Sequence, residues 1–169
     1  RIGNSSDNAA SEVQLGTVEL QSCTDGIILE GTNSTGIRIT SCNAGGCTRA
    51  FHFEGQADVT RNTVNILIMG GSFSGNTTDF ILDEPCTFTA MNVYTEGSVA
   101  SHRFLQTGAA GVGTTQVSPA LITLMNCYDN NGSGTGVDQL LHLAGAYTVI
   151  GGKYEHGFSC GGQTGVQAN

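Results

Sequence analysis

The chain has 169 residues, a net charge of −8 and a sequence pI of about 4.7, and its six Lys and Arg are scattered, which excludes an electrostatic nucleic-acid surface. Charged residues make up only 12%, hydrophobic residues make up 38%, and no run reaches the roughly 20 apolar residues of a membrane-spanning helix. Gly is frequent at 25 residues and Pro rare at 2, and the apolar residues recur in short alternating runs, which argues for a folded β protein over a disordered coil.

In chain order, each unit reads as a strand, a bend of small residues and a second strand. Val18 and Leu20 lead to the bend at Ser22 and Cys23, followed by GIILEG at 26–31. Ile37 and Ile39 lead to Ser41 and Cys42, then AFHFEG at 50–55. Ile66 and Ile68 lead to Gly70 and Gly71, then DFILDE at 79–84. Phe88 and Ala90 lead to Asn92 and Val93, then HRFLQTG at 102–108. Ile122 and Leu124 lead to Asn126 and Cys127, then LLHLAG at 140–145. Tyr147 and Val149 lead to Gly151 and Gly152.

The bends are spaced by roughly 19, 29, 22, 34 and 25 residues, inside the range of repeat folds. Period-two alternation makes each run a strand with one face inward. A single unit cannot bury that face, so neighbours must stack. The expected fold is all-β, a right-handed parallel β-helix of about six coils, with rungs about 4.8 Å apart. A β-sandwich would have shorter turns and less similar repeats. Phe51 and Phe53, Phe80 and Leu82, and Leu141 and Leu143 are expected to share the inward face. The chain starts at Arg1 without Met, so the expectation is one β-helix domain over residues 1–169, a segment of a longer chain.

Outward columns carry the candidate chemistry. Two places before the second residue of each bend stand Gln21, Thr40, Met69, Met91, Met125 and Ile150, of which the last four make a large apolar column. Such a ridge points to an oligomer interface, or to a covering loop or domain. Glu30, Glu54 and Asp83 follow the second strands and are expected to form an acidic column one rung apart. Carboxyls on neighbouring rungs come close to the retaining-glycosidase separation of roughly 5–5.5 Å. A solvated acidic ladder or a bound cation would give the same pattern. His52 and His142 are expected in the other outward column of that wall, with His102 and Arg103 between them, as binders of sugar hydroxyls and carboxylates or as ordinary surface residues. Tyr94 and Tyr128 follow the bends as stacking platforms for sugar rings or as outward packing.

Cys23, Cys42 and Cys127 are read as one bend column, and parallel rungs hold such side chains too far apart for an easy disulfide. Free thiols are expected. No CxxC or HExxH is present, and neither a phosphate loop nor a GxSxG elbow occurs in the strand-to-helix context it requires, so neither a metal nor a cofactor is expected.

The stretches LQSCTDGIILEG, ITSCNAGG, IMGGSFSGNTTDFILDE and LMNCYDNNG resemble the right-handed parallel β-helix of the pectate-lyase superfold. Within it, the Asn, Ser and Gly-rich bends and free cysteines look most like bacteriophage tailspike and tail-fibre domains. The resemblance runs from about Val18 onward. It implies a homotrimer on the virion tail, folded in the host cytoplasm, that binds bacterial surface polysaccharide (capsule or O-antigen). It also implies catalytic carboxylates in a groove, with depolymerisation by hydrolysis or β-elimination; Glu54 with Asp83 or Glu30 would supply them. The calcium-binding aspartates and catalytic arginine of pectate lyases are not recognisable. A non-catalytic structural or adhesive shaft is the alternative, and an autotransporter-like passenger is disfavoured by six Cys.

Overall fold

A computed structural model describes residues 2, 12–29, 36–53, 64–83, 86–97, 102–107, 120–130, 140–142, 145–154, 158–160 and 166–168. The described residues form strands and bends and no helix. The strands are β1 (Val13–Leu15), β2 (Val18–Gln21), β3 (Asp25–Leu29), β4 (Ile37–Gly45), β5 (Arg49–Phe53), β6 (Val64–Ser74), β7 (Thr78–Leu82), β8 (Cys86–Met91), β9 (Tyr94–Glu96), β10 (Arg103–Thr107), β11 (Ala120–Met125), β12 (Tyr128–Asn130), β13 (Leu140–His142), β14 (Gly145–Ile150), β15 (Lys153–Tyr154), β16 (Phe158–Cys160) and β17 (Val166–Ala168). Every pairing between them is parallel. An 11-stranded sheet faces a six-stranded sheet ordered β16-β13-β10-β7-β5-β3. The chain crosses from one sheet to the other in every turn, which makes a parallel β-solenoid.

Alternation in sequence becomes alternation in burial. Along β4 and β8, buried residues alternate with exposed or half-buried ones. Register then stacks like on like. Ile37, Ile66, Phe88, Ile122 and Tyr147 form one inward column, and Ile39, Ile68, Ala90, Leu124 and Val149 the next. Phe80 of β7 is the hub between the sheets. Its ring centroid lies 4.7 Å from Phe73, 5.2 Å from Phe88, 5.5 Å from Phe104 and 6.2 Å from Phe51. All five rings are buried, and each such burial is worth about 1.5–3 kcal/mol before entropy is charged against it.

The closed core spans about four turns, from β4 through β12, where about six coils were expected. Ile27 and Leu29 from β3 and Val149 from β14 close its ends, while Val13, Leu15, Val18 and Leu20 of β1 and β2 are only partly buried. The described cysteines 23, 42, 47, 86 and 127 are free thiols, and burial pushes the Cys42 thiol up to about 11.

Two register expectations need correction. Val18 pairs with Cys42 and Gln21 with Gly45, so Ser22 and Cys23 do not sit over Ser41 and Cys42. They belong to the following bend, with Gly46 and Cys47: Ser22 N–H donates to Gly45 O at 2.9 Å, and Thr48 N–H to Cys23 O at 2.9 Å. Both bends use a left-handed residue, as at Ser22 (φ 53°) and Ser41 (φ 57°), so one small-polar-then-Cys signature marks two different corners. In the six-stranded sheet, Leu105 pairs with Leu140 and Thr107 with His142. His142 therefore shares a register column with Phe53 and Leu82, not with His52, and Leu140, not Leu141, aligns with Phe51 and Phe80. LLHL carries apolar residues on both parities, so its sequence cannot choose the register.

The Gly-Gly bends divide into two roles. Gly70 (φ 67°) stands where Ser41, Asn92 and Asn126 also adopt positive φ, and a Cβ there meets nothing. Gly71 (φ 109°) is different, because a Cβ would run into the Cys42 carbonyl of the rung below. Gly152 meets the Cys127 carbonyl in the same way. Gly71→Ala should cost about 3 kcal/mol or abolish folding, whereas Gly70→Asn should stay within about 1 kcal/mol of wild type. Urea unfolding of the two variants checks this, and equal losses would contradict it.

Candidate functional site

Two polar clusters stand out, one on the outer wall of the six-stranded sheet and one inside the solenoid. The outer cluster starts from parallel neighbours. Asp25 and Arg49 are register partners on β3 and β5 and form an ion pair: Nη2 donates to Oδ2 at 2.6 Å, and Nε lies 2.5 Å from Oδ1. Three residues along β5, His52 Nε2 contacts Asp83 Oδ2 at 2.8 Å, and its Nδ1 lies 3.6 Å from Asp25 Oδ1. Asp83 follows β7 directly, and its amide donates to Phe53 O at 3.0 Å, which fixes it beside β5. The imidazole thus sits between two carboxylates drawn from neighbouring rungs. Asp83 Oδ1 is buried without a hydrogen-bond partner.

The expected site residues distribute unevenly. Asp83 and His52 come together, but His52 is 4% exposed and held, not an open surface ligand. Alternation puts it on the face opposite Phe51 and Phe53, as expected, and the flanking carboxylates help to cover it. Glu30 and Glu54 lie outside the described residues; Leu29, Phe53 and Leu82, which precede Glu30, Glu54 and Asp83 in the chain, stand in register. Arg103 opens β10 in register with Thr78, in the column of Arg49 and Asp25.

Tyr94 and Tyr128 are register partners on the 11-stranded sheet, with Ser72 and Lys153 on either side. Their rings stack on each other, 5.5 Å between centroids and 12° between planes. Lys153 Nζ lies 5.1 Å from the Tyr128 centroid. The pair therefore offers edges more than open faces; the Tyr94 hydroxyl donates to Glu96 Oε2 at 3.2 Å, and the Tyr128 hydroxyl accepts from Lys153 Nζ at 3.2 Å. Met69, Met91, Met125 and Ile150 stack in one register column, with Met69 42% and Ile150 39% exposed.

The inner cluster was not anticipated. Asn76, Asp79, Thr95, His102 and Asp129 are all at 0% exposure. Asn76 occupies the bend place held by Cys47 one turn earlier: Thr77 N–H donates to Cys47 O as Thr48 N–H does to Cys23 O. Its side chain accepts from the Cys47 amide at 2.7 Å and donates to Ala44 O at 3.1 Å and to Asp79 Oδ1 at 2.9 Å. Thr95 Oγ1 donates to Asp129 Oδ1 at 2.5 Å. His102 Nδ1 bonds Asn76 O at 3.0 Å, and its Nε2 stands 3.5 Å from Asp79 Oδ2 and 3.6 Å from Asp129 Oδ1. Burial pushes the Asp79 carboxyl up to about 8, against the opposing pull of His102 and Asn76. Burial alone would lower His102, but Asp129, Asp79 and the Asn76 carbonyl outweigh it and hold the imidazole up at about 9.

A signal for this cluster exists in the sequence once the turns are in register. GNTTDF at 75–80 aligns with GCTRAF at 46–51, so a carboxylate replaces buried Ala50 and an amide replaces buried Cys47. Neither cluster is a metal centre by composition: no group of three His, Cys, Asp or Glu among the described residues is arranged to hold an ion. Comparison of the chain with protein-family models, curated protein sequences and solved structures found no match.

Proposed function

We propose that this solenoid is a tailspike-like protein that binds bacterial surface polysaccharide through the outer wall of its six-stranded sheet. The observation that carries the reading is the Asp25–His52–Asp83 row with Arg49, two held carboxylates, an imidazole and a guanidinium on one wall of a parallel solenoid. Carboxylates and guanidinium at fixed spacing suit sugar hydroxyls and acidic sugars. Cleavage would pair Glu54 with Asp83 or Glu30. One carboxyl would protonate the departing glycosidic oxygen as the C–O bond breaks, and the other would activate water or attack the anomeric carbon. Tyr94 and Tyr128 lie on the other sheet and would contact a glycan only as a separate subsite.

The reading is tested by incubating the chain with mixed capsule and O-antigen preparations. Binding should be retained by wild type and weakened at least tenfold by Asp83→Asn, about 1.4 kcal/mol for one charge-assisted contact. New reducing ends or absorbance from unsaturated sugar would establish cleavage. Full activity in a Glu54→Gln, Asp83→Asn double variant would remove the site, and no binding to any preparation would remove the function.

A structural shaft is the second reading, favoured by the outer face of β6, β8, β11 and β14. Next to the Met69 column stand Leu67, Thr89, Thr123 and Thr148 in register, and then Leu121, 53% exposed. None of these positions carries a charge, in a chain with net charge −8. Copies can approach along such a face without repulsion, and a homotrimer is the assembly proposed. Sedimentation at micromolar concentration should give a trimer, and Met91→Glu should give monomer with unchanged circular dichroism. A wild-type monomer would contradict the assembly.

A further inference from the structure

We propose that Asp79, His102 and Asp129 form a proton-held latch inside the solenoid, which binds three successive turns together at neutral and acidic pH and loosens in alkali. Asp79 comes from β7, His102 from the residue before β10, and Asp129 from β12, so one cluster ties three successive turns. The tautomer follows from the geometry. His102 Nδ1 faces a carbonyl, which can only accept, so Nδ1 carries hydrogen. Nε2 is then the titrating nitrogen. Unprotonated, it would aim a lone pair at oxygens of both Asp79 and Asp129. A proton on Nε2, or on the facing carboxyl, turns that repulsion into attraction. Asn76 and Thr95 donate to the other oxygens, Asp79 Oδ1 and Asp129 Oδ1, but Asp79 Oδ2, Asp129 Oδ2 and His102 Nε2 have no other hydrogen-bond partner.

Charge counting gives the proton number. Two carboxyls and one imidazole reach zero net charge only when they share two titratable protons, and net charge in a dry interior is costly. The other titratable groups facing the cluster are Cys47 from the bend before β5, Cys127 from the bend before β12 and Tyr154 from β15; burial raises all three, so they stay neutral through pH 8. No ion pair among the described residues brings Lys or Arg to the cluster.

The direction of the pH effect is fixed. Asp79 is raised from 3.8 to about 8, so its contribution is full below 3.8 and is lost as pH climbs through 8. His102 is raised from 6.5 to about 9, so its contribution is full below 6.5 and lost as pH climbs through 9. Both act in the same sense. The folded-to-unfolded ratio should fall about tenfold per pH unit between roughly pH 4 and 6.5, where one extra proton is bound. It should fall by up to about 100-fold per unit between roughly 6.5 and 8, where two are bound.

The test is urea unfolding of the full chain from pH 5 to 9.5, wild type against Asp79→Asn. The amide keeps the shape, cannot ionise, and can donate to Nε2. The variant should lose at least half of the wild-type slope and overtake wild type in stability at alkaline pH. An unchanged slope in Asp79→Asn, or a wild-type ratio that does not fall above pH 6.5, would overturn the latch. Should the variant fail to fold, an NMR titration of His102 in wild type decides: a ring still protonated at pH 8 supports the latch, and titration near 6.5 overturns it.

Discussion

In a parallel solenoid each side chain stands on its counterpart from the neighbouring turn, about 4.8 Å away, and every other feature of this molecule follows from that repetition. An apolar position must be apolar again one turn on, which is why Ile37, Ile66, Phe88 and Ile122 recur in a column. A polar side chain turned inward must find its partners on the rungs above and below. Asn76 does so with the Cys47 amide and the Ala44 carbonyl. Where a bend brings backbone against backbone, as at Gly71 over Cys42, only glycine fits.

The same repetition places charge. Asp25 and Arg49 pair because they are register partners, and His52 meets Asp83 because Asp83 hydrogen-bonds to the strand that carries His52. β7 links the two clusters: Asp79 near its start is fully buried beside Asn76 and His102, and Asp83 just after its end contacts His52. Two carboxylates four residues apart thus lie in opposite environments. The inner one is raised by burial and shares protons with an imidazole, whereas the outer one keeps partial contact with water.

The inward columns of the 11-stranded sheet were legible in the sequence because period-two alternation and a repeated bend both mark them. The first turn was misaligned because Ser22 and Cys23 imitate Ser41 and Cys42, although they turn a different corner. LLHL left its register open because both of its faces are apolar, and pairing to Leu105 settles it. The outer site was half legible: Asp83 and His52 were visible as types, but Asp25 and Arg49 join them only through neighbouring strands. The inner cluster was hidden because a carboxylate is not expected at a fully buried position, and its long-range contacts join residues 23 to 34 positions apart in sequence.

The parallel register on which the whole molecule depends is read from backbone amide NOEs. Contacts should run from Leu67 to Thr89 to Thr123 to Thr148, and from Leu105 to Leu140 in the second sheet. Contacts displaced by one residue, such as Leu105 to Leu141, or an antiparallel pattern between any of these strands would contradict it.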